Sequence, residues 1–225
     1  LSLHDALPIW AVLTEAGERN AQASQTAGQP DRWLPKSCFV RGVQSPQVQA
    51  ISGGWSDGRL VLRQPTQGDL VIDPDNDGDR LVEWLRPLWP ANASAPTRLV
   101  RGAAIWTDQK WPWISILSLA SLADLEARSG HALGLHRWRG NLWIDGWQPW
   151  AERALIGQVI SIGSVELRVT QHVGRCAATS ANTDTGENDI DMLDSLERLY
   201  GHTDFGVFAE VVTGGDISLG DEVTA

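Results

Sequence analysis

The strongest constraint on the fold is a strict alternation of apolar and polar residues in the second half of the chain. Apolar Val165, Leu167 and Val169 alternate with polar Glu166, Arg168 and Thr170. Side chains that alternate in this way lie on opposite faces of a β-strand, so one face is buried. A second apolar run covers residues 159–162, and Gly163-Ser164 between the two runs suits a tight turn. The pattern therefore predicts a β-hairpin with one buried face.

The remaining patterns predict a mainly β chain (α+β) with a few short helices. Short β-like runs separated by Gly, Pro and Asp cover 38–43, 48–52, 59–63 and 69–72, and residues 11–30 indicate a strand followed by a loop. Further strands are expected at 138–144, 205–212 and 217–219, the last two forming a terminal hairpin around Gly214-Gly215. Helical spacing predicts helices at 79–86, 118–128 and 191–200.

Composition limits the classes of function. The chain has 225 residues, 42% of them hydrophobic, and no apolar run long enough to predict a membrane span. A net charge of −10 argues against a general binder of nucleic acid or of anionic membranes. Two cysteines far apart in the sequence do not make a disulfide framework, which favours a reducing compartment and a cytoplasmic location.

Cys176 is the most informative candidate for chemistry. It lies in the run His172-Val173-Gly174-Arg175-Cys176-Ala177-Ala178-Thr179, where a strand-like stretch meets a polar loop. A neighbouring guanidinium favours the thiolate, which is both a nucleophile and a soft metal ligand. The alternative is that Cys176 is a small buried apolar residue. His172 and His202 are candidates to lie near Cys176, although a partly exposed structural role is the alternative for each.

Several segments, in this order, resemble the MOSC domain, named for the C-terminal domain of molybdenum cofactor sulfurase. They are Arg137-Trp138-Arg139-Gly140-Asn141, Arg175-Cys176, Phe205-Gly206-Val207-Phe208 and Gly220-Asp221-Glu222-Val223. The resemblance covers about residues 110–225. Residues 10–105 more faintly resemble the β-rich domain that precedes MOSC in amidoxime-reducing proteins. Together the two resemblances imply a smaller β-rich domain at 1–105, followed by a MOSC-type β-barrel at 106–225.

The resemblance also implies a site. Cys176 would be the catalytic residue and the ligand to molybdenum, in a molybdenum cofactor (molybdopterin) bound at the domain junction. The implied cofactor-binding residues are Ser118, Ser121, Arg139, Asn141, Gly174, Arg175 and Phe208.

The residues themselves suggest how some of these roles are filled. Ser118 suits the N-cap of its helix, and the free N–H groups of that helix end would accept a phosphate. Arg139 and Asn141, two apart on the predicted strand, would share one face, with Arg139 as a fork on phosphate. Similar proteins often have tyrosine at the position of Phe208. Phenylalanine lacks the hydroxyl that could contact the cofactor or substrate, so we expect Phe208 to have a packing role.

The implied activity is two-electron reduction of N-hydroxylated small molecules by electrons from a separate donor protein, because the sequence has no Gly-rich nucleotide fingerprint and no iron–sulfur cysteine cluster. Two alternatives stay open: a sulfur-transfer enzyme that carries a persulfide on Cys176, and a non-catalytic carrier of the cofactor. Pyridoxal phosphate binding is associated with these proteins only at the level of the family. Physiological substrate, donor and oligomeric state are not specified by the sequence.

The first nine residues look foreign to the rest. Leu1 to Ile9 resembles a translated sequencing-adapter fragment, and the sequence contains no methionine before Met192. We therefore expect residues 1–9 to be non-native and the first domain to be truncated, which predicts weaker cofactor binding than in a chain with a complete first domain.

Overall fold

The computed structural model describes residues 9–22, 25–26, 29–30, 32–102, 106 and 110–224. Residues 1–8, which carry most of the segment predicted to be non-native, lie outside the described residues. The chain divides into two compact units, one comprising residues up to Trp111 together with Ala177–Ile190, the other Pro112–Cys176 and Asp191 onward. The assignment of a truncated first domain that ends at residue 105 stays a prediction.

The first unit consists of short strands and helices. Its strands are β1 (Trp10–Thr14), β2 (Gln25–Thr26), β3 (Gln29–Pro30), β4 (Ser52–Ser56), β5 (Arg59–Gln64), β6 (Gln67–Ile72) and β7 (Pro96–Arg101). Its helices are α1 (Glu15–Gln22), α2 (Pro46–Gln49) and α3 (Gly78–Leu85). Strands β4, β5 and β6 form an antiparallel sheet in that order, and β1 pairs with β7.

Some predictions for this unit hold and others are wrong. The strands at 59–63 and 69–72 and the helix at 79–86 are confirmed, and Leu81, Val82 and Leu85 bury the apolar face of α3. The strand predicted at 48–52 is wrong, because α2 extends to Gln49 and β4 begins only at Ser52. Ser45 caps that helix by accepting a hydrogen bond from Val48 N, and Pro46 suits its first turn. The predicted strand at 38–43 is also replaced, by a 3₁₀ helix at Lys36–Cys38 and a single bridge at Phe39.

Residues 177–190 leave the second unit directly after Cys176 and pack within the first. Gly186 has a positive φ of 75° and lies against Gln47, Ala50 and Gln64. No pattern in the sequence predicts this, since the segment reads simply as a polar loop. The chain returns to the second unit at Asp191.

The second unit is fully described up to Thr224 and is built on one sheet. Its strands are β8 (Ile114–Ser118), β9 (Leu142–Ile144), β10 (Val159–Ile162), β11 (Val165–Gly174), β12 (Asp204–Thr213) and β13 (Val223–Thr224). Its helices are α4 (Leu119–Ser129) and α5 (Met192–Tyr200). These six strands have the order β13-β10-β11-β12-β8-β9, antiparallel except for the parallel β8–β9 pair. The expected fold class, mainly β with a barrel-like sheet and a few short helices, is confirmed.

The hairpin predicted from the alternation is present. Val159 pairs with Arg168 and Ile162 with Val165, so the turn lies at Gly163-Ser164. Val165, Leu167 and Val169 are at most 5% exposed. Burial of a side chain of this size contributes roughly 1.5–3 kcal/mol, so this face supplies much of the core.

The terminal hairpin is a wrong prediction. Strand β12 ends at Thr213, and residues 217–219 form no strand; Leu219 is fully exposed. Instead Asp216 exchanges hydrogen bonds with Ser164 in the β10–β11 turn, and Val223–Thr224 pairs with β10. Strand β13 therefore forms the edge of the sheet next to β10. It cannot pair with β12, because β12 already pairs with β11 on one side and with β8 on the other.

No helix in the described part of the chain is both long enough and apolar enough to cross a membrane.

Gly206 shows why glycine is required where β12 packs against β8. Its φ is +82°, and a Cβ there would lie 2.7 Å from the Ile116 carbonyl oxygen and 2.8 Å from Leu117 Cγ. Gly201 has a similar φ of +73°, but no atom lies within 4 Å of its Cβ position. A comparison of substitutions at the two glycines therefore distinguishes the cost of backbone strain from the cost of steric overlap.

We expect Gly206→Ala to lower the free energy of unfolding by on the order of 3 kcal/mol, since strain and overlap act together. Gly201→Ala should cost only about 1 kcal/mol, from the left-handed backbone alone. Urea denaturation of the two variants makes the comparison, and equal losses would contradict the packing argument.

Candidate active site

Cys176 lies just beyond the end of β11. The strand ends at Gly174, and Arg175 and Cys176 follow without regular structure. Neither cysteine forms a disulfide; Cys176 is exposed, whereas Cys38 is buried. The interpretation of Cys176 as a small buried apolar residue is therefore wrong.

Arg175 holds this strand end in place. Its Nε and Nη2 donate to the Phe205 carbonyl oxygen, the former at 2.9 Å, and its Nη1 donates to the Trp138 carbonyl oxygen at 2.9 Å. The guanidinium carbon also lies 5.4 Å from the Trp138 ring centroid and 5.8 Å from that of Phe205. We call this arrangement the Arg175 clamp. It ties the backbone next to Cys176 to β12 and to the turn that ends at Trp138.

Arg139 follows this turn directly, and its predicted setting is wrong. Residues 136–138 form a 3₁₀ helix, Arg139 has a left-handed backbone with φ 50°, and the strand begins only at Leu142. A Cβ at Gly140 would lie 2.5 Å from Leu117 Cδ1, so the chain passes too close to β8 for an extended path with side chains. Arg139 and Asn141 therefore do not share a strand face. The Trp138 carbonyl accepts a hydrogen bond from Arg175. Arg139 directly follows Trp138 in the chain, and Cys176 directly follows Arg175.

Asn141 is engaged with β8. Its Oδ1 accepts from Ser115 N at 2.9 Å and from Ser115 Oγ at 2.8 Å, and Ser115 Oγ accepts from Asn141 N at 3.0 Å. Ser115 in turn pairs with Phe208 on β12. The Phe208 ring is half-buried and lies 6.0 Å from that of Trp113, which agrees with a packing role.

Ser118 and Ser121 lie at the start of α4, inside the protein. Ser118 Oγ accepts from Ser121 N, so the predicted capping role is confirmed, and Gly130 ends the helix with a left-handed backbone. Both serines are fully buried. Ser121 Oγ contacts both carboxylate oxygens of Glu152 at 2.9 Å and accepts from Trp150 N at 2.7 Å. The acidic side chain that contacts this helix end is thus the chain's own Glu152, and contact of the two serines with a cofactor stays a prediction.

Glu152 is a fully buried carboxyl group. Burial raises its pKa above the ordinary value of 4.5, although hydrogen bonds, including that from Ser121, and the charges of Arg153 and His172 oppose the shift. A buried acid of this kind is a feature that sequence patterns do not reveal, because Glu152 stands in an ordinary polar stretch.

Asp204 brings the two histidines of the prediction together. Its Oδ2 lies 3.7 Å from His172 Nδ1 and 3.6 Å from Arg153 Nη1, and its backbone N–H donates to His202 Nδ1 at 3.2 Å. Asp204 pairs with Gly174 across β11 and β12, so this cluster lies at the strand ends that carry Cys176. His172 and His202 are both half-buried. Sequence reasoning missed Asp204 and Arg153; the one available signal was the pair of histidines flanking Cys176.

The predicted site residues therefore fall into three groups. Arg139, Gly174, Arg175 and Cys176 lie around the Arg175 clamp; Asn141 and Phe208 meet through Ser115; and Ser118 and Ser121 lie in the interior beside Glu152. Among the described residues, no group of three or more His, Cys, Asp or Glu side chains could hold a metal ion.

The Arg175 clamp predicts a specific loss of stability. We expect Arg175→Lys to lower the free energy of unfolding by about 2 kcal/mol, because an ammonium cannot reach both carbonyls and leaves one buried acceptor unpaired. The control is Arg168→Lys, which alters a half-exposed pair with Glu210 and should cost less than about 0.5 kcal/mol. Similar losses by urea denaturation would show that the clamp has no structural role.

Glu152 predicts a pH dependence of stability. Because its pKa is raised in the folded protein, the folded state keeps this proton at pH values where the unfolded chain, with a pKa near 4.5, has lost it. The free energy of unfolding of the wild type should therefore fall relative to that of Glu152→Gln as the pH rises above that value. Denaturation between about pH 4 and about pH 7 measures the difference, with exposed Glu197→Gln as the control. A difference that stays constant across this range would refute the prediction.

The chain is similar to known proteins over most of its length. Over 265 aligned residues the chain is 25% identical to mitochondrial amidoxime reducing component 2 of Bos taurus, covering 94% of this chain and 78% of that protein. Over 120 residues it is 32% identical to mitochondrial amidoxime-reducing component 1 of Homo sapiens, covering 48% of this chain and 35% of that protein. Residues 112–224, which make up half of the chain, match the MOSC domain. The chain belongs to the MOSC domain family.

Proposed function

We propose that this protein is a molybdenum-cofactor-dependent reductase of N-hydroxylated compounds, with Cys176 as the protein ligand to the metal. The observation that carries the proposal is the exposed thiol of Cys176, placed just beyond the end of β11 beside the Arg175 clamp. Membership of the MOSC family and similarity to two proteins named amidoxime reducing components supply the reaction class.

The donor set fits a metal that arrives with its own organic ligand. The described residues contain no group of three side chains that could hold a metal by themselves, whereas one exposed thiolate is a good soft ligand. A pterin cofactor that carries molybdenum needs little more than such a ligand from the protein. When bound, the cofactor supplies the two-electron redox chemistry, and the protein supplies binding and orientation.

The remaining site residues have different tasks in this proposal. Arg139, half-buried beside the clamp, binds a phosphate of the cofactor, and the backbone at Gly174 and Arg175 approaches the cofactor next to Cys176. Asn141 and Phe208 shape the adjoining turn and strand. Ser118 and Ser121 fix the start of α4 from inside, through Glu152.

Electrons come from a separate protein in this proposal. The sequence contains only two cysteines and no Gly-rich nucleotide fingerprint, so it holds neither an iron–sulfur cluster motif nor a dinucleotide motif. A cytoplasmic location also stays a prediction, whereas the names of the two relatives describe them as mitochondrial.

Cys176→Ser tests the metal ligand. We expect it to abolish reduction of an amidoxime and to change the visible spectrum of the molybdenum-loaded protein, because a serine hydroxyl stays protonated at neutral pH and binds molybdenum poorly. Cys38→Ser, which changes a buried thiol, is the control and should retain activity.

The outcomes separate this proposal from its alternatives. Wild-type turnover by Cys176→Ser at full molybdenum content would exclude Cys176 as an essential ligand. A purified wild-type protein without molybdenum, carrying cyanide-labile sulfur on Cys176, would indicate sulfur transfer instead. Bound cofactor without turnover on any N-hydroxylated compound would indicate a carrier.

Arg139 predicts a graded loss of cofactor. Pterin content per protein should fall most in Arg139→Ala, less in Arg139→Lys and least in the exposed control Arg168→Ala, since lysine keeps the charge but loses the fork on phosphate. Fluorescence of the released, oxidised pterin measures this. Equal content in the three variants would place Arg139 outside the binding site.

A further inference from the structure

We propose that Ser115 is a positioning residue that holds the side-chain amide of Asn141 with its NH2 group directed away from Ser115, so that Asn141 binds the cofactor as a hydrogen-bond donor. This inference rests on the proposed function and deepens it. The family resemblance implies that Asn141 contacts the cofactor, but it does not specify through which atom. Neither the resemblance nor the sequence patterns give Ser115 a role.

The backbone of Ser115 determines which amide atom of Asn141 faces it. Ser115 N lies 2.9 Å from Asn141 Oδ1. A backbone N–H can only donate a hydrogen bond, and the NH2 group of an asparagine can only donate as well. A rotated amide would therefore place two donors against each other. The oxygen faces Ser115, and the NH2 group points away from it.

The hydroxyl of Ser115 adds two further bonds to the same residue. Ser115 Oγ donates to Asn141 Oδ1 at 2.8 Å and accepts from Asn141 N at 3.0 Å, so its single hydrogen is used within the pair. Ser115 is only 6% exposed, which protects these bonds from competition by water. Together with the bond from Ser115 N, they fix both the position and the orientation of the amide.

The start of the β8–β9 pairing explains why a side chain is needed here. The parallel register begins with Ile116 opposite Leu142, so Ser115 and Asn141 each lie one residue before the paired strands. Asn141 Oδ1 takes the place of a backbone carbonyl and accepts from the N–H of Ser115. An asparagine amide suits this position because it carries the same acceptor and donor groups as a peptide bond.

The NH2 group of Asn141 is available to a ligand. Asn141 is exposed, and no acceptor in the described part of the chain takes a hydrogen bond from its Nδ2. Since the amide oxygen already accepts two bonds from Ser115, the donor side of the amide is the side that a ligand can reach. Such a donor binds an acceptor group, and phosphate oxygens are strong acceptors.

The turn that carries this donor also carries Arg139, to which the proposed function gives a phosphate of the cofactor. Arg175 holds one end of the turn through the Trp138 carbonyl at 2.9 Å, and Ser115 holds the other end through Asn141. A donor that is already ordered loses less conformational freedom on binding than a mobile one. Ser115 therefore strengthens cofactor binding without contacting the cofactor itself.

Asn141→Asp distinguishes a donor from a purely structural asparagine. Aspartate has nearly the same shape and can still accept from Ser115 N and Oγ, but it has no NH2 group. We expect the pterin retained after dialysis, measured by its fluorescence, to fall at least about tenfold, because a carboxylate repels the acceptor that the amide binds. The thermal midpoint should not fall. Gln148→Glu adds the same charge at an exposed position beyond β9 and should retain pterin as the wild type does.

Ser115→Ala tests the positioning role without a change of charge. NMR relaxation of the metal-free wild type should show an ordered side-chain amide at Asn141. Ser115→Ala should make this amide more mobile and lower pterin retention about threefold. The control is Ser195→Ala, which removes another buried hydroxyl, one that donates to the Asp191 carbonyl at 2.7 Å on α5. This control should leave both measurements unchanged.

The outcomes separate the two parts of the inference from the proposed function. Wild-type pterin retention in Asn141→Asp would overturn the donor role. An Asn141 amide that is mobile in the wild type, or equally ordered in Ser115→Ala, would overturn the positioning role. A wild type without pterin, after expression in a host that makes the cofactor, would remove the proposed function and the donor role with it. The NMR comparison would still decide whether Ser115 orders Asn141.

Discussion

The structure of the second unit depends on the placement of one guanidinium group. Arg175 donates hydrogen bonds to the carbonyls of Phe205 and Trp138 and lies near both of their rings. The centroids of these two rings are 4.1 Å apart. Hydrogen bonds from a charged donor to carbonyls that are shielded from water are worth more than neutral ones. Because one side chain joins β11, β12 and the turn before Arg139, the exposed Cys176 starts from a rigid base.

A second set of contacts supports this base from the side of the helices. Asp124 on α4 accepts from Trp150 Nε1 and from Tyr200 OH, both at 2.8 Å, and from Arg128 Nε at 3.1 Å. Burial alone would raise the pKa of Asp124, but these hydrogen bonds outweigh it and lower the pKa. The Trp150 ring lies 4.2 Å from Tyr200 and 5.6 Å edge-on from Phe205. The network therefore connects α4 and α5 to Phe205, one of the two residues that the Arg175 clamp holds.

Local rules predicted the parts of this fold whose signals are local. The alternation at 165–170 placed a hairpin with the correct turn, since only one register buries Val165, Leu167 and Val169. Ser118 and Gly130 at the ends of α4, and Gly201 after α5, are capping residues that act within one helical turn. Residue type alone favoured burial of Cys176 and the motif around it favoured a chemical role; the structure shows that it is exposed.

The sequence by itself determined the β10–β11 hairpin, the three helices α3, α4 and α5 and the family, because those signals lie in residues close along the chain. The tertiary structure alone decided that Arg139 lies in a left-handed turn, that residues 177–190 pack in the first unit, and that the chain end pairs with β10. It also decided that Glu152 is buried and that Asp204 joins His172 and His202. These features arise from contacts between residues tens of positions apart, such as Gly140 against Leu117 and Gly174 opposite Asp204, and the choice among such contacts is made by packing and hydrogen bonding in three dimensions.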